Sequence, residues 1–307
     1  MAKLIQVVEV GARDGLQNEK VTLSVADRLE FIRRLSGAGL KRIEVGAFVS
    51  PKWVPQMNGS KELIQTLFKE RFPKDVEFSA LVPNEKGMED ALQTPIKSIA
   101  VFGACSESFS QKNINCSIEE SFVRFKSVIA DAKKNKIKVR GYLSTAFGCP
   151  YEGQVPEKRV IELVVRMLKM GVFEVSVGDT IGVATPKQVK SLLLKLKRKV
   201  PLKKIAMHMH DTRGTALANV VASLEMGVSV FDSSTGGLGG CPYAKGSSGN
   251  LATDDLVYLL HGMGFKTGVD LGKLISIKPF LEEKISRALP SRVAGAGLPL
   301  PKTLTGL

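Results

Sequence analysis

Histidine is scarce in this 307-residue chain, which has three, and tryptophan occurs once. The four cysteines, Cys105, Cys116, Cys149 and Cys241, are scattered. No pair has zinc-ribbon spacing, so a structural zinc module is excluded and free thiols are the default. No apolar run reaches the length of a membrane span. The start, Met-Ala-Lys-Leu-Ile-Gln-Val-Val, lacks the regions of a signal or transit peptide, and the final Thr-Gly-Leu is no recognised address. A cytoplasmic protein without a membrane partner is expected. Aromatic residues make up only 6% and do not interleave with basic ones as nucleobase-stacking platforms would. The net charge of +14 therefore does not imply a nucleic-acid partner. Its densest basic stretch, Lys187 to Lys204, reads as a helix with Val189, Leu192, Leu193, Leu196 and Val200 on one face. Lys187, Lys190, Lys197 and Arg198 fall on the other, solvated face, and an anionic small-molecule partner fits the excess charge at least as well.

Hydrophobic residues reach 44%, enough for a large core. They are organised as strand then helix, repeatedly. Predicted strands run over Leu4 to Val10, Arg42 to Phe48, Val76 to Val82, Ile96 to Phe102, Lys138 to Ser144, Phe173 to Val177, Ile205 to Met209 and Ser229 to Ser233. Between them stand helix starts at Ser24, near Asn84, at the capping box Ser117/Glu120, at Pro156 and at Thr185-Pro186. Gly39, Gly171 and Gly227 stop helices just ahead of strands. Eight strands at a repeat of roughly 30 residues match the α/β class as a (β/α)8 TIM barrel. The other fold considered, a doubly wound open sheet, usually carries a Gly-x-Gly-x-x-Gly turn after its first strand, and none occurs. The barrel is assigned to residues 1–290 with a short C-terminal helical extension from Asp270. Residues 291–307 are expected to be a loose tail.

Such barrels place chemistry at the C-terminal ends of their strands. Two of the three histidines, His208 and His210, lie two apart on the seventh strand, so both imidazoles face one side. They are metal ligands or half-buried groups satisfied by carbonyls, and the spacing alone does not choose. After strand one comes Gly11-Ala-Arg-Asp-Gly-Leu-Gln17. Asp14 could be merely a turn residue before Gly15. Beside Arg13 and opposite the pair, it is the best third ligand, giving a two-histidine, one-carboxylate site. Oxygen from Asn250 and water favours six-coordination and Mg²⁺ or Mn²⁺. Arg13 could clamp a carboxylate or steady an enolate, and could also pair with Glu44 inside strand two. Gln17, Tyr142, Ser176 and Thr180 fall near the same face and, with Arg13, are candidate substrate contacts. The loop Gly236 to Asn250 holds six glycines and Cys241, and is read as a lid. Cys149 also follows a strand end, and these patterns do not decide between the two thiols.

These motifs resemble the 3-hydroxy-3-methylglutaryl-CoA (HMG-CoA) lyase family. The likeness runs through Val8-Glu-Val-Gly-Ala-Arg-Asp-Gly-Leu-Gln-Asn-Glu-Lys20, Phe48-Val-Ser-Pro-Lys-Trp-Val-Pro-Gln-Met57, Lys112-Asn-Ile-Asn-Cys-Ser-Ile-Glu-Glu120, Gly178-Asp-Thr-Ile-Gly182 and the glycine loop through Gly249-Asn-Leu-Ala-Thr253. It covers about residue 4 to about 290. The resemblance implies a divalent-metal lyase that cleaves (S)-3-hydroxy-3-methylglutaryl-CoA to acetoacetate and acetyl-CoA in leucine catabolism. It places the cation on Asp14, His208, His210 and Asn250, and gives catalytic roles to Arg13, Glu44 and Cys241 rather than Cys149. His208, or a water assisted by Glu44, is the candidate base. It also implies a homodimer. The family usually has glutamate where Asp254 stands. Isopropylmalate and homocitrate synthases share the Arg-Asp-Gly and His-x-His motifs, so a condensing synthase is the competing enzyme. A basic binding protein is the competitor from another class.

Overall fold

The computed structural model describes residues 3–239 and 249–298. Eight parallel strands close into a barrel in sequence order. They are β1 (Gln6–Glu9), β2 (Arg42–Ala47), β3 (Glu77–Leu81), β4 (Ser98–Ala104), β5 (Lys138–Ser144), β6 (Val175–Asp179), β7 (Ile205–Met209) and β8 (Val230–Ser233). β8 pairs with β1 from Gln6↔Val230 to Glu9↔Ser233, so the sheet has no free edge. The strand positions match those expected, with ends displaced by up to two residues at β1, β4 and β6 and no displacement at β5 and β7.

The helices form where local chemistry starts them. In order they are α1 (Val25–Gly37), α2 (Ser60–Leu67), α3 (Glu85–Leu92), α4 (Glu107–Ile114), α5 (Ile118–Lys134), α6 (Glu157–Lys169), α7 (Pro186–Lys197), α8 (Ala216–Met226), α9 (Thr253–Gly262), α10 (Leu271–Ile275), α11 (Lys278–Ile285) and α12 (Arg292–Ala296). Ser24 accepts from the Asp27 N–H at the start of α1. The capping box at Ser117 and Glu120 forms, and Thr185 with Gln188 makes another. Gly39, Gly171 and Gly227 all have φ between 94° and 105°, a region open to glycine. On α7, Val189, Leu192, Leu193 and Leu196 are buried while Lys187, Lys190 and Lys197 face solvent. That accounts for the densest basic stretch without a nucleic acid.

Two short elements escape the periodic pattern. Helix α4 is polar and only eight residues long, and its signal is the Ser106 cap on the Phe109 N–H. The segment Gly11–Gly15 makes a π-helical turn, described below. The loose tail expected over 291–307 is corrected at its start. Ser291 and the N–H groups of Arg292 and Val293 are tied to the Asp255 carboxylate, which docks α12 against α9. Residues 299–307 lie outside the described residues, as do 240–248.

The main core lies between the barrel and its helices, around Phe31, Ile32, Leu35, Phe122, Phe125 and Leu193. Inside the barrel, Val8, Val10, Ala206 and Val230 form a separate small apolar cluster. Charged residues share that interior. Arg140 on β5 reaches Asp232 on β8, and Arg42 on β2 reaches Glu174 just before β6. These strands are not neighbours, so the side chains cross the barrel.

Two further buried carboxylates tie down the ends of the glycine-rich loop. Glu9 accepts from the N–H groups of Gly11 and Thr235 and from the hydroxyls of Thr235 and Thr253, all at 2.7–2.9 Å. Asp254 accepts from the Gly236 N–H at 2.6 Å, and its Oδ1 has no partner. Burial, with Glu9 and Asp255 nearby, pushes the Asp254 carboxyl from 3.8 up to about 7. Between those values the folded protein keeps a proton that the unfolded chain has released. Stability from this group is therefore full below about pH 4 and is lost as pH rises through about 7. In calorimetric scans Asp254→Asn is expected to melt a few degrees above wild type at pH 8, with the gap shrinking toward pH 5. A variant that melts lower at both values would show that the ionised carboxylate on Gly236 is worth more than its burial costs.

Candidate active site

The turn after β1 brings the first two site residues into the barrel mouth. Gly11–Gly15 winds as one π-helical turn, and a Cβ at Gly15 would lie 2.8 Å from Ser234 Oγ. That close approach seats the turn against the loop after β8. Arg13 then points inward, 3% exposed, and donates from Nε to Glu44 Oε2 at 2.6 Å. Its other arm donates to Asp14 Oδ1 at 2.7 Å. The Tyr142 hydroxyl also donates to Glu44 Oε2, at 3.2 Å, and the Arg13 guanidinium lies 5.5 Å from that ring's centre. The pairing of Arg13 with Glu44 weighed from the sequence is present.

Burial alone would discharge these groups, and their neighbours decide the outcome. Burial works against the Arg13 cation, but Glu44 and Asp14 outweigh it and raise its pKa. Burial also works against the Asp14 anion, but Arg13, His208 and His210 bring its carboxyl down to about 2. Glu44 goes the other way: burial lifts it and Arg13 only partly pulls it back.

β7 supplies the imidazoles. His208 Nε2 and His210 Nε2 stand 3.2 Å apart, and Asp14 Oδ2 is 3.9 Å from His208 Nε2. Ligand atoms of Asp14, His208 and His210 all lie within 4.8 Å of one another, and among the described residues they form a possible metal-holding cluster. Asn250 joins them, its Nδ2 donating to Asp14 Oδ2 at 2.9 Å. A half-turn of that amide would present oxygen to the same point. The donor set fits a divalent cation. His208 Nδ1 faces Asp232 Oδ2 at 3.3 Å, so a proton held there leaves the Nε2 lone pair facing His210. Burial and the neighbouring His208 push His210 down to about 3, so its ring is neutral at ordinary pH. Two lone pairs meeting at 3.2 Å repel unless a cation or a shared proton lies between them.

The pocket over this cluster is lined by Gln17, Tyr142, Ser176 and Thr180 together with Arg13, Asp14 and the two histidines. Phe102, Phe109, Val49 and Val54 supply an apolar wall. The five expected substrate contacts, Arg13 among them, thus share one pocket, in different states. Gln17 Oε1 is buried without a partner. Ser176 donates to Asp232 at 2.6 Å, and Thr180 Oγ1 accepts from the Thr145 N–H at 2.8 Å. Cys241 lies outside the described residues. Cys149 is buried, with its Sγ accepting from the Ser106 hydroxyl at 2.8 Å.

Sequence reasoning overlooked Asp232 and Arg140. Both carry charge inside strand segments that otherwise read as apolar, Val230-Phe-Asp-Ser and Val139-Arg-Gly-Tyr. A charge at such a position is the signal that could have found them.

The family model described as HMGL-like matches residues 4–281. The mitochondrial hydroxymethylglutaryl-CoA lyase of Homo sapiens is 50% identical over 296 residues, covering 96% of this chain and 90% of that protein. The cytoplasmic 3-hydroxy-3-methylglutaryl-CoA lyase of Rattus norvegicus is 49% identical, covering 96% and 85% respectively. A solved HMG-CoA lyase from Acenitobacter baumannii, in complex with coenzyme A and 3-methylmalate, superposes with a TM-score of 0.90 at 35% identity, covering 97% of this chain and 98% of that one.

Removing one imidazole should weaken the cluster without disturbing the barrel. For His210→Ala the expected result is a rise of at least about tenfold in the Mn²⁺ dissociation constant, read by electron paramagnetic resonance of free Mn²⁺. Unchanged affinity would take His210 out of the ligand set.

Proposed function

The chain belongs to the HMGL-like family, and we propose that it is a divalent-metal-dependent hydroxymethylglutaryl-CoA lyase acting in leucine breakdown. It cleaves (S)-3-hydroxy-3-methylglutaryl-CoA to acetoacetate and acetyl-CoA. The observation that carries this reading is the meeting of Asp14, His208 and His210 beside the Arg13–Glu44 pair at the barrel mouth. The coenzyme A bound by the Acenitobacter baumannii relative supports an acyl-CoA substrate. Asp14, His208, His210 and Asn250 would hold Mg²⁺ or Mn²⁺. A bound cation supplies Lewis acidity that lowers the pKa of the substrate's tertiary hydroxyl.

The chain's own residues do the rest. A water held by Glu44 takes the hydroxyl proton, since His208, with Nε2 facing the cation site and Nδ1 facing Asp232, has no nitrogen to spare for it. The oxygen's electrons form the new ketone of acetoacetate as the neighbouring carbon–carbon bond breaks. Its electron pair leaves on the thioester fragment as an enolate. Arg13, aimed by Glu44 and Tyr142, faces the developing charge on the thioester oxygen. A fixed cation in a site shut off from water acts at little reorganisation cost, because its partners have already oriented it. Cys241 then delivers a proton to the enolate carbon, which completes acetyl-CoA. Gln17, Ser176 and Thr180 line the walls that orient the substrate. Keeping water from the enolate matters at this step, because water would otherwise protonate it without control. A homodimer and a cytoplasmic setting belong to the same proposal. The relatives include one named cytoplasmic and one named mitochondrial.

Purified protein with Mg²⁺ or Mn²⁺ is expected to release acetoacetate from the hydroxymethylglutaryl thioester. Condensation of acetyl-CoA with a 2-oxo acid, without that release, would favour the synthase instead. Cys241→Ser should lower kcat by roughly 10²–10⁴-fold, the range for loss of a proton-transfer group. Cys149→Ser should stay within a few-fold of wild type, since that thiol is packed under Ser106. Equal losses in the two variants would undo the assignment of Cys241. Light scattering in solution reads the mass expected of a dimer, and a monomer mass would remove that part.

A further inference from the structure

Asp232 lies on β8, paired in register with Val8 of β1 and His208 of β7, and its side chain is fully buried. Four hydrogen bonds converge on its carboxylate. Arg140 donates to Oδ1 at 2.7 Å and to Oδ2 at 3.1 Å, the Ser176 hydroxyl donates to Oδ2 at 2.6 Å, and His208 Nδ1 faces Oδ2 at 3.3 Å. Arg140 is in turn held by Glu174 at 2.7 Å, and Glu174 by Arg42 at 2.9 Å. The four groups Arg42, Glu174, Arg140 and Asp232 alternate in sign and sum to zero. They run from the barrel's lower rim to the underside of His208.

Arg42 and Arg140 share the single charge of Glu174, so Asp232 completes the balance. Charge balance alone does not require the same carboxylate to lie against His208 Nδ1, as it does. The register places His208 of β7 directly beside Asp232 of β8, so the imidazole packs edge-on to an anion that cannot move. An anion locked by Arg140 and Ser176 can only accept from Nδ1. The proton is therefore kept on Nδ1, and the Nε2 lone pair is kept facing Asp14 and His210. A carboxylate behind a metal-binding imidazole has this effect generally: it sets the tautomer and raises the ring's basicity.

We propose that Asp232, clamped by Arg140 and Ser176, is the positioning residue that makes His208 a ligand. The inference rests on the metal-lyase reading but concerns His208 itself, so its test does not require turnover. Two readouts apply. One is the affinity of metal-depleted protein for Mn²⁺ alone, by electron paramagnetic resonance. The other is the ¹⁵N chemical shift of the His208 ring in the metal-free protein, which reports which nitrogen carries the proton.

Wild type is expected to show His208 protonated at Nδ1. Asp232→Asn should show a mixture of tautomers and a Mn²⁺ dissociation constant raised about 10–100-fold. Because Asp232→Asn leaves the Arg140 charge short of a partner, the double variant Arg140→Gln/Asp232→Asn removes both charges together and guards against misfolding. It should melt cooperatively and keep the weakened affinity and the mixed tautomer. A folded variant with wild-type Mn²⁺ affinity and Nδ1 still fully protonated overturns the proposal. If wild type binds no Mn²⁺, the metal reading fails by itself, and the ¹⁵N shifts alone then decide whether Asp232 sets the tautomer.

Discussion

A closed sheet gives the charges inside it little access to bulk water, so each must meet its opposite within the barrel. That constraint governs this structure. Removing one partner of a buried ion pair typically costs about 3–5 kcal/mol, because the other charge is left unpaired. Here the lower interior is balanced by the alternation of Arg42, Glu174, Arg140 and Asp232. The mouth is balanced by Arg13 between Glu44 and Asp14. The apolar cluster of Val8, Val10, Ala206 and Val230 fills much of what is left.

The same pairing that keeps the interior stable prepares it for chemistry. Arg13 is oriented by its two carboxylates rather than removed from use by them, and it opens onto a pocket with apolar walls. Asp14 is held as an anion by the cations around it, while burial keeps His210 neutral. An anionic oxygen and imidazole nitrogens converging on one point are what a hard or borderline divalent cation requires. Burial opposes the basicity of His208, but Asp232 and Asp14 raise it. Stability and function thus draw on the same residues, as is usual where titratable groups cluster in a cleft.

The loop after β8 is fastened by a different device. Glu9 gathers four donors from the turn after β1 and from both ends of the glycine-rich segment, and Asp254 holds the Gly236 N–H. Glycine loses more conformational entropy on folding than any other residue, and these hydrogen bonds offset part of that cost at the two ends of the segment. The carboxylate at position 254 serves that anchoring and is not among the residues that line the pocket. This gives Asp254 a physical role at the end of the loop.

Much of this was legible without coordinates. The alternation of strand and helix, the caps at Ser24, Ser117 and Thr185, and the stops at Gly171 and Gly227 depend on local spacing, and local spacing is what a sequence displays. Arg13, Asp14, His208 and His210 were legible because their residue types are rare or clustered at predicted strand ends. Helix α4 was missed because eight residues with only Phe109 and Ile114 apolar carry too little periodicity. Asp232 and Arg140 were missed because they lie 92 residues apart and gain meaning only across the barrel. By itself the sequence determined the order of elements, the barrel and the chemical character of its mouth. Only closure of the sheet decided which buried charges meet, since pairing between β5 and β8 depends on distance through space and not along the chain.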